Sequence, residues 1–163
     1  MWHRVRVILI AALAAGCAGP APRVDAAAEQ ADVERFLATF FDSALATVDT
    51  AAVRRSLAGD FAILEDSVWY DRDGYVKLIA ETSALFGGPS ASYRRSDFHT
   101  SVDGPHAWTS FVTLGTLHLT DSVRTRLNVP LGVPLEKRYR ETVVLRRSGS
   151  GWVIVHWRSS TTG

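Results

Sequence analysis

The chain has 163 residues, 47% of them hydrophobic, with 18 basic and 17 acidic side chains. That length supports one domain with its own core, and a formal charge of +1 demands no polyanionic partner. The arginines occur as separated doublets (Arg54-Arg55, Arg94-Arg95, Arg146-Arg147) rather than as one run, which argues against nucleic-acid binding.

Residues 1–17 read MWHRVRVILIAALAAGC. Arg4 and Arg6 precede an apolar run from Val7 to Leu13; Ala14, Ala15 and Gly16 then lead to Cys17. A basic end, an apolar middle and a small-residue end make a secretory signal. The apolar run is shorter than the roughly 20 residues of a spanning helix. Cys17 is the single cysteine, so no intrachain disulfide can form. Its setting after Ala-Ala-Gly resembles a bacterial lipobox, although Ala14 stands where leucine is usual. That resemblance implies cleavage before Cys17 and a diacylglyceryl group on its thiol. The expectation is an exported, membrane-anchored lipoprotein, at the outer membrane if the bacterium has two membranes. The alternative is a plain secretory signal. Residues 18–25, AGPAPRVD, read as a tether.

The domain is expected over residues 26–160. Val33, Phe36, Leu37, Phe40, Phe41, Ala44, Leu45 and Val48 keep an i, i+3, i+4 rhythm, predicting one amphipathic helix from about Ala26 to Val48. Asp49-Thr50 caps a short second helix, with Val53 and Leu57 inward and Gly59 ending it. Phe61–Leu64 and Val68–Tyr70 are short strands about a turn at Glu65-Asp66-Ser67. Asp71 or Asp73 caps a third helix that buries Tyr75, Val76, Ile79, Ser83 and Phe86 and stops at Gly87-Gly88-Pro89. Strands follow at Tyr93–Thr100 and Ala107–Leu119, with a turn at Asp103-Gly104-Pro105. Residues 121–135 carry Pro130 and Pro134, which reads as an insertion or edge segment, either a lid or an arm toward a partner. Helices followed by long antiparallel strands define an α+β class, with the helices on one face of a curved sheet.

The last hairpin, Glu141–Ser160, turns at Ser148–Gly151, setting Arg147 opposite Trp152 and Leu145 opposite Ile154. Uninterrupted alternation then sets Val143 opposite His156 and Glu141 opposite Arg158. One face would carry Tyr139, Glu141, Val143, Leu145, Trp152, Ile154, His156 and Arg158. The other would carry Arg140, Thr142, Val144, Arg146, Val153, Val155 and Trp157. A one-residue slip would exchange these faces.

Glu141-Thr142, Val144, Arg146-Arg147, Gly151-Trp152, Val155-His156 and Ser159 resemble the end of nuclear transport factor 2-like domains. The similar groups are the SnoaL-like polyketide cyclases and the association domain of calcium/calmodulin-dependent kinase II. Those chains often end in Trp-x-x-x-His-x-His-x-Ser, and here Arg158 replaces the second histidine. The resemblance implies a cone-shaped fold of about three helices on a curved sheet, often dimeric through the outer face of the sheet. It does not choose among isomerases, dehydratases, cyclases, hydrolases and scaffolds.

Seven residues are candidates for the cone pocket. His156 matches the family histidine and titrates near neutrality; the alternative is a core histidine. Glu141 and Arg158 are read as a structural ion pair or a substrate clamp. Tyr139 is a phenolic donor or packing, and Trp69 is a pocket wall or core. Asp97 and His99 share a strand face and form a base pair or an exposed strand end. No histidine pair has metal-ligand spacing, so neither a metal nor another cofactor is expected. The leading expectation is a binding or scaffold module for a small apolar or amphipathic ligand. A cyclase, isomerase or dehydratase with a His or Asp base, or a structural envelope protein with a filled cavity, are the alternatives.

Overall fold

The computed structural model describes residues 25–86, 88 and 91–162. The expected signal, Cys17 and most of the tether lie outside the described residues, as do Gly87 and Pro89 of the predicted helix stop. Helix α1 spans Ala26–Thr39 and is capped by the Asp25 carboxylate, which accepts from the Ala27 amide at 3.1 Å. The predicted helix then changes character: Phe40–Leu45 is π-helical. Its wider turns carry i→i+5 bonds, such as Ala46 N–H to the Phe41 carbonyl at 2.9 Å. Adjacent residues of an α-helix diverge by about 100°, so a Phe-Phe pair needs a wide apolar face to be buried together. The widened turn lets both Phe40 and Phe41 reach 2% exposure, alongside buried Ala44 and Leu45. Each large side chain so buried contributes about 1.5–3 kcal/mol.

Helix α2 (Thr50–Ser56) is capped by Asp49 as expected, but it ends at Ser56. Gly59 does not end it; Leu57 already begins strand β1 (Leu57–Glu65), which turns into β2 (Val68–Asp71). Helix α3 (Arg72–Phe86) starts where the Asp71 carboxylate accepts from the Gly74 amide at 2.7 Å. Strands β3 (Ala91–Asp103) and β4 (His106–Leu117) follow. The insertion expected at 121–135 contains a helix, α4 (Asp121–Leu127), capped by Thr120 and closed by Asn128 at φ 55°. Strands β5 (Leu135–Ser148) and β6 (Gly151–Thr161) complete the chain.

The sheet order is β2-β1-β6-β5-β4-β3, antiparallel except for the β1–β6 pair. The architecture is therefore α+β, with the helices on the concave face of a curved open sheet. Phe41 is the hub of the core, edge-on to Trp157 at 5.4 Å, Tyr93 at 5.6 Å and Phe111 at 5.9 Å.

The register of the last hairpin corrects the expected faces. Near the turn, Arg147 does oppose Trp152 and Leu145 does oppose Ile154. Val144, however, opposes His156, so Val155 is an extra residue in a β-bulge. Beyond it every side chain of β6 changes sides. Val143 opposes Trp157, Thr142 opposes Arg158, and Glu141 opposes Ser159. Trp157 is thus buried at 3% exposure rather than turned outward.

Candidate functional site

The bulge at Val155 builds the site. It turns Trp157 and Ser159 into the cone beside Glu141, and the Trp157 indole Nε1 donates to Glu141 Oε2 at 2.7 Å. Glu141 is only 3% exposed. Burial pushes its carboxyl up to about 7, because the anion loses hydration; the Trp157 donor and the Ser159 hydroxyl act against this, and the nearby Glu65 adds to it. The neighbouring Thr113 Oγ1 also favours the anion, yet among the described residues it makes no hydrogen bond of good geometry. Among the described residues Glu141 forms no ion pair.

Three phenols surround this floor. Tyr75 comes from α3, Tyr93 from β3 and Tyr139 from β5. Burial holds Tyr75 well above the usual phenol range, raises Tyr93, and pushes Tyr139 up to about 12. All three are therefore neutral donors near pH 7. Gly115 of β4 gives the rings room: a Cβ there would lie 3.5 Å from both Tyr139 and Tyr93. Glu65, at the end of β1, closes the polar set, its carboxyl also raised, first by burial and then by Asp66.

The inner chamber has a volume of about 90 Å³ and is lined by Thr113, Glu141, Trp157 and Ser159 together with the tyrosines. It shares Leu45, Glu65, Tyr75, Tyr93 and Tyr139 with an outer chamber of about 290 Å³. The outer chamber runs past Leu78, Ile79 and Phe86 toward Lys137 and Leu117. One funnel results, apolar along its wall and polar at its base. Val48, which also lines it, takes φ 57°, an uncommon conformation for a β-branched residue. Beside the opening, the 121–135 segment is fixed by buried Arg124, which donates to the Pro130 and Val133 carbonyls, both at 2.7 Å. Arg126 bonds the Leu85 carbonyl at the end of α3, next to Phe86 of the funnel.

Of the seven sequence candidates, Tyr139 and Glu141 line the funnel. The other five do not. His156 lies on the outer face, its ring 5.6 Å from that of Trp69, because the bulge reverses its side of the strand. Arg158 is turned outward for the same reason and is exposed, so the expected pair with Glu141 does not form. Trp69 is 61% exposed on the short edge strand β2, neither pocket wall nor core. Asp97 and His99 are exposed: β3 has its own bulge between Ser96 and His99, with Asp97 at φ 58°. Sequence reading missed Glu65, Tyr93, Thr113, Trp157 and Ser159 as funnel residues. Tyr93 and Thr113 could have been found from the inward parity of their strands, Trp157 and Ser159 only from the bulge. Among the described residues, no group of three or more His, Cys, Asp or Glu side chains could hold a metal. No described helix is long and apolar enough to cross a membrane.

No protein-family model matches the chain, and no curated protein matches it. Solved structures do. A candidate scytalone dehydratase from Novosphingobium aromaticivorans superposes with a TM-score of 0.65 at 18% identity, over 84% of this chain and 86% of the other. A ketosteroid isomerase-like protein from Erwinia carotovora atroseptica gives 0.60 at 18% identity, over 83% and 97%. A nuclear transport factor 2-like protein of unknown function from Pseudomonas putida gives 0.64 at 14% identity, over 82% and 87%. The chain has the nuclear transport factor 2-like fold. The structural neighbours with this fold include isomerase-like and dehydratase-like proteins.

Proposed function

We propose that the funnel binds a small, mostly apolar molecule carrying one carbonyl or hydroxyl group, and that Glu141 moves a proton on it, as in an isomerase or dehydratase. The observation that carries this reading is the position of Glu141: a buried carboxyl at the base of an accessible funnel, without an ion pair, titrating near 7. A group poised there can both take and return a proton. The carboxylate would remove a proton next to the carbonyl, and a neutral tyrosine would donate to the oxygen as negative charge develops. The proton then returns to another carbon, or to a departing hydroxyl that leaves as water. Neither outcome needs an oxidant. This moves the base from His156, Asp97 or His99 to Glu141.

The test is a screen of enolisable ketones and β-hydroxy ketones against the purified chain and Glu141→Gln. Turnover by the first, with at least hundredfold loss in the second and retained binding, is expected. Equal turnover in both would refute proton transfer by Glu141. Retained binding with no turnover in either chain would leave the funnel a binding module. That second reading is favoured by the Trp157 bond, which holds one Glu141 oxygen in place.

Two further proposals concern the setting of the domain. The outer face seats a second copy of the chain, supported by the row Trp108, Val144 and His156 across β4, β5 and β6, with Trp69 beside it. Trp108 is 49% exposed there. The chain is also exported and anchored through a lipid on Cys17, supported by the sequence around that cysteine. Metabolic labelling with a fatty acid should mark the wild type and not Cys17→Ser.

A further inference from the structure

Two arginine doublets far apart in sequence meet at the end of the sheet opposite the funnel mouth. Arg54 and Arg55 end α2, Arg146 and Arg147 end β5, and Arg72 begins α3. These five side chains line a single cleft of about 380 Å³, which no carboxylate among the described residues lines. Along β5, the mouth residue Lys137 and Arg147 are about 33 Å apart at about 3.3 Å per residue. The cleft is therefore a second site, independent of the funnel.

Carboxylates nearby neutralise part of this charge. Arg146 pairs with Asp60 through both of its terminal nitrogens, at 2.9 and 3.2 Å. Arg54 pairs with Asp73, and Arg147 with Glu29. Arg147 also stacks over the Trp152 ring at 4.3 Å, which fixes its plane. Two guanidiniums remain without a full partner among the described residues. Arg55 is exposed and makes no ion pair. Arg72 comes no closer than 3.9 Å to Asp73, and its Nε is buried with no hydrogen-bond partner. A buried donor without an acceptor is costly, and such groups are rare.

The wall of the cleft is open where a ligand would need room. The β1–β6 register breaks between Leu57 and Ala62, and Gly59 lies in that break. A Cβ on Gly59 would meet nothing within 4 Å. Ser148 adds a hydroxyl at the rim. Several arginines on one cleft, two of them uncommitted, suit a tetrahedral oxyanion with several acceptor oxygens better than a carboxylate, which one fork satisfies.

We propose that this cleft binds a phosphate group, either as a free phosphate or as the glycerol phosphate headgroup of an anionic lipid. Isothermal titration of the purified full chain with inorganic phosphate and with glycerol 1-phosphate, in a non-phosphate buffer at low ionic strength, separates the sources. Acetate serves as the control anion. Saturable binding of one phosphate per chain, weakened by sodium chloride and absent for acetate, is expected. Comparable affinity for both probes indicates free phosphate, and a clear preference for glycerol 1-phosphate indicates the headgroup; either supports the site. The double variant R55Q/R72Q should lose at least tenfold in affinity, and R55Q alone about threefold. Arg55 is exposed and unpaired, so R55Q folds as the parent does and decides the matter if the double variant does not. Glu141→Gln should leave phosphate binding unchanged, which keeps the result separate from the funnel chemistry. Failure of both probes to bind, or undiminished binding by R55Q, overturns the proposal.

Discussion

Glu141 keeps its proton to about pH 7 in the folded chain, against the ordinary 4.5 of a hydrated glutamate when unfolded. Between those values the folded state binds more protons than the unfolded one. Stability therefore falls as pH rises from about 4.5 to 7, and levels off above. A shift of this size corresponds to ~3 kcal/mol. Glu65, raised for the same reason, adds to the slope in the same direction. Glu141→Gln keeps an oxygen for the Trp157 indole and removes the titration. The variant should match the wild type near pH 4 and exceed it by up to ~3 kcal/mol at pH 8, read from urea denaturation at the two pH values. Parallel pH profiles for the two chains would count against a buried, protonated Glu141. Trp157→Phe keeps most of the ring packing but deletes the donor to Glu141 Oε2. It should cost ~1–3 kcal/mol in the same assay at pH 8, where the anion needs that donor.

Elements decide which residues share the funnel, and here the sequence was only partly legible. The start of α1 at Ala26, the cap at Asp49, the cap at Asp71 as one of two offered, and the turn before Trp152 follow from local chemistry and were readable. The bulge at Val155 was not. From Trp152 to Trp157 each parity carries large apolar side chains (Trp152 and Ile154 on one, Val153, Val155 and Trp157 on the other), so either set can face a core, and no Gly or Pro marks the break. The misplacement of His156 and Arg158 follows from that single residue. The π-helical segment was hidden because its residues still satisfy an i, i+3, i+4 rhythm; only the demand to bury Phe40 and Phe41 together reveals it. Helix α4 was hidden because its seven residues are too few for periodicity to show, and the prolines beyond it dominated the reading. Gly115 is an element-scale requirement as well. Its missing side chain is the space between Tyr93 and Tyr139. Gly115→Leu should fill that space, abolish ligand binding to the funnel and cost ~1–3 kcal/mol by overpacking, measured by calorimetry and denaturation. Gly115→Ala, whose Cβ would sit at ordinary contact distance, should fold and retain binding.

At the scale of the molecule, one curved sheet supports three surfaces with different chemistry. Its concave face holds the funnel, its convex face carries exposed Trp108 and Trp69, and the far strand ends gather the arginines. The convex face predicts self-association. Trp108→Asp should convert a dimer to a monomer in sedimentation equilibrium without changing the far-ultraviolet circular dichroism. A wild-type monomer at high concentration would refute the second-copy proposal. The fold class was legible because helix-then-strand order and apolar spacing extend over many residues and tolerate local error. The site was less legible because it depends on which way individual strand residues face, and one bulge reverses that.

The most direct measurement is the titration of the Glu141 side-chain carboxyl carbon by nuclear magnetic resonance in the folded chain, assigned by its disappearance in Glu141→Gln. A midpoint at about 7 is the predicted result. A midpoint near the ordinary 4.5 would mean a hydrated carboxylate and no proton donor or acceptor held at the base of the funnel.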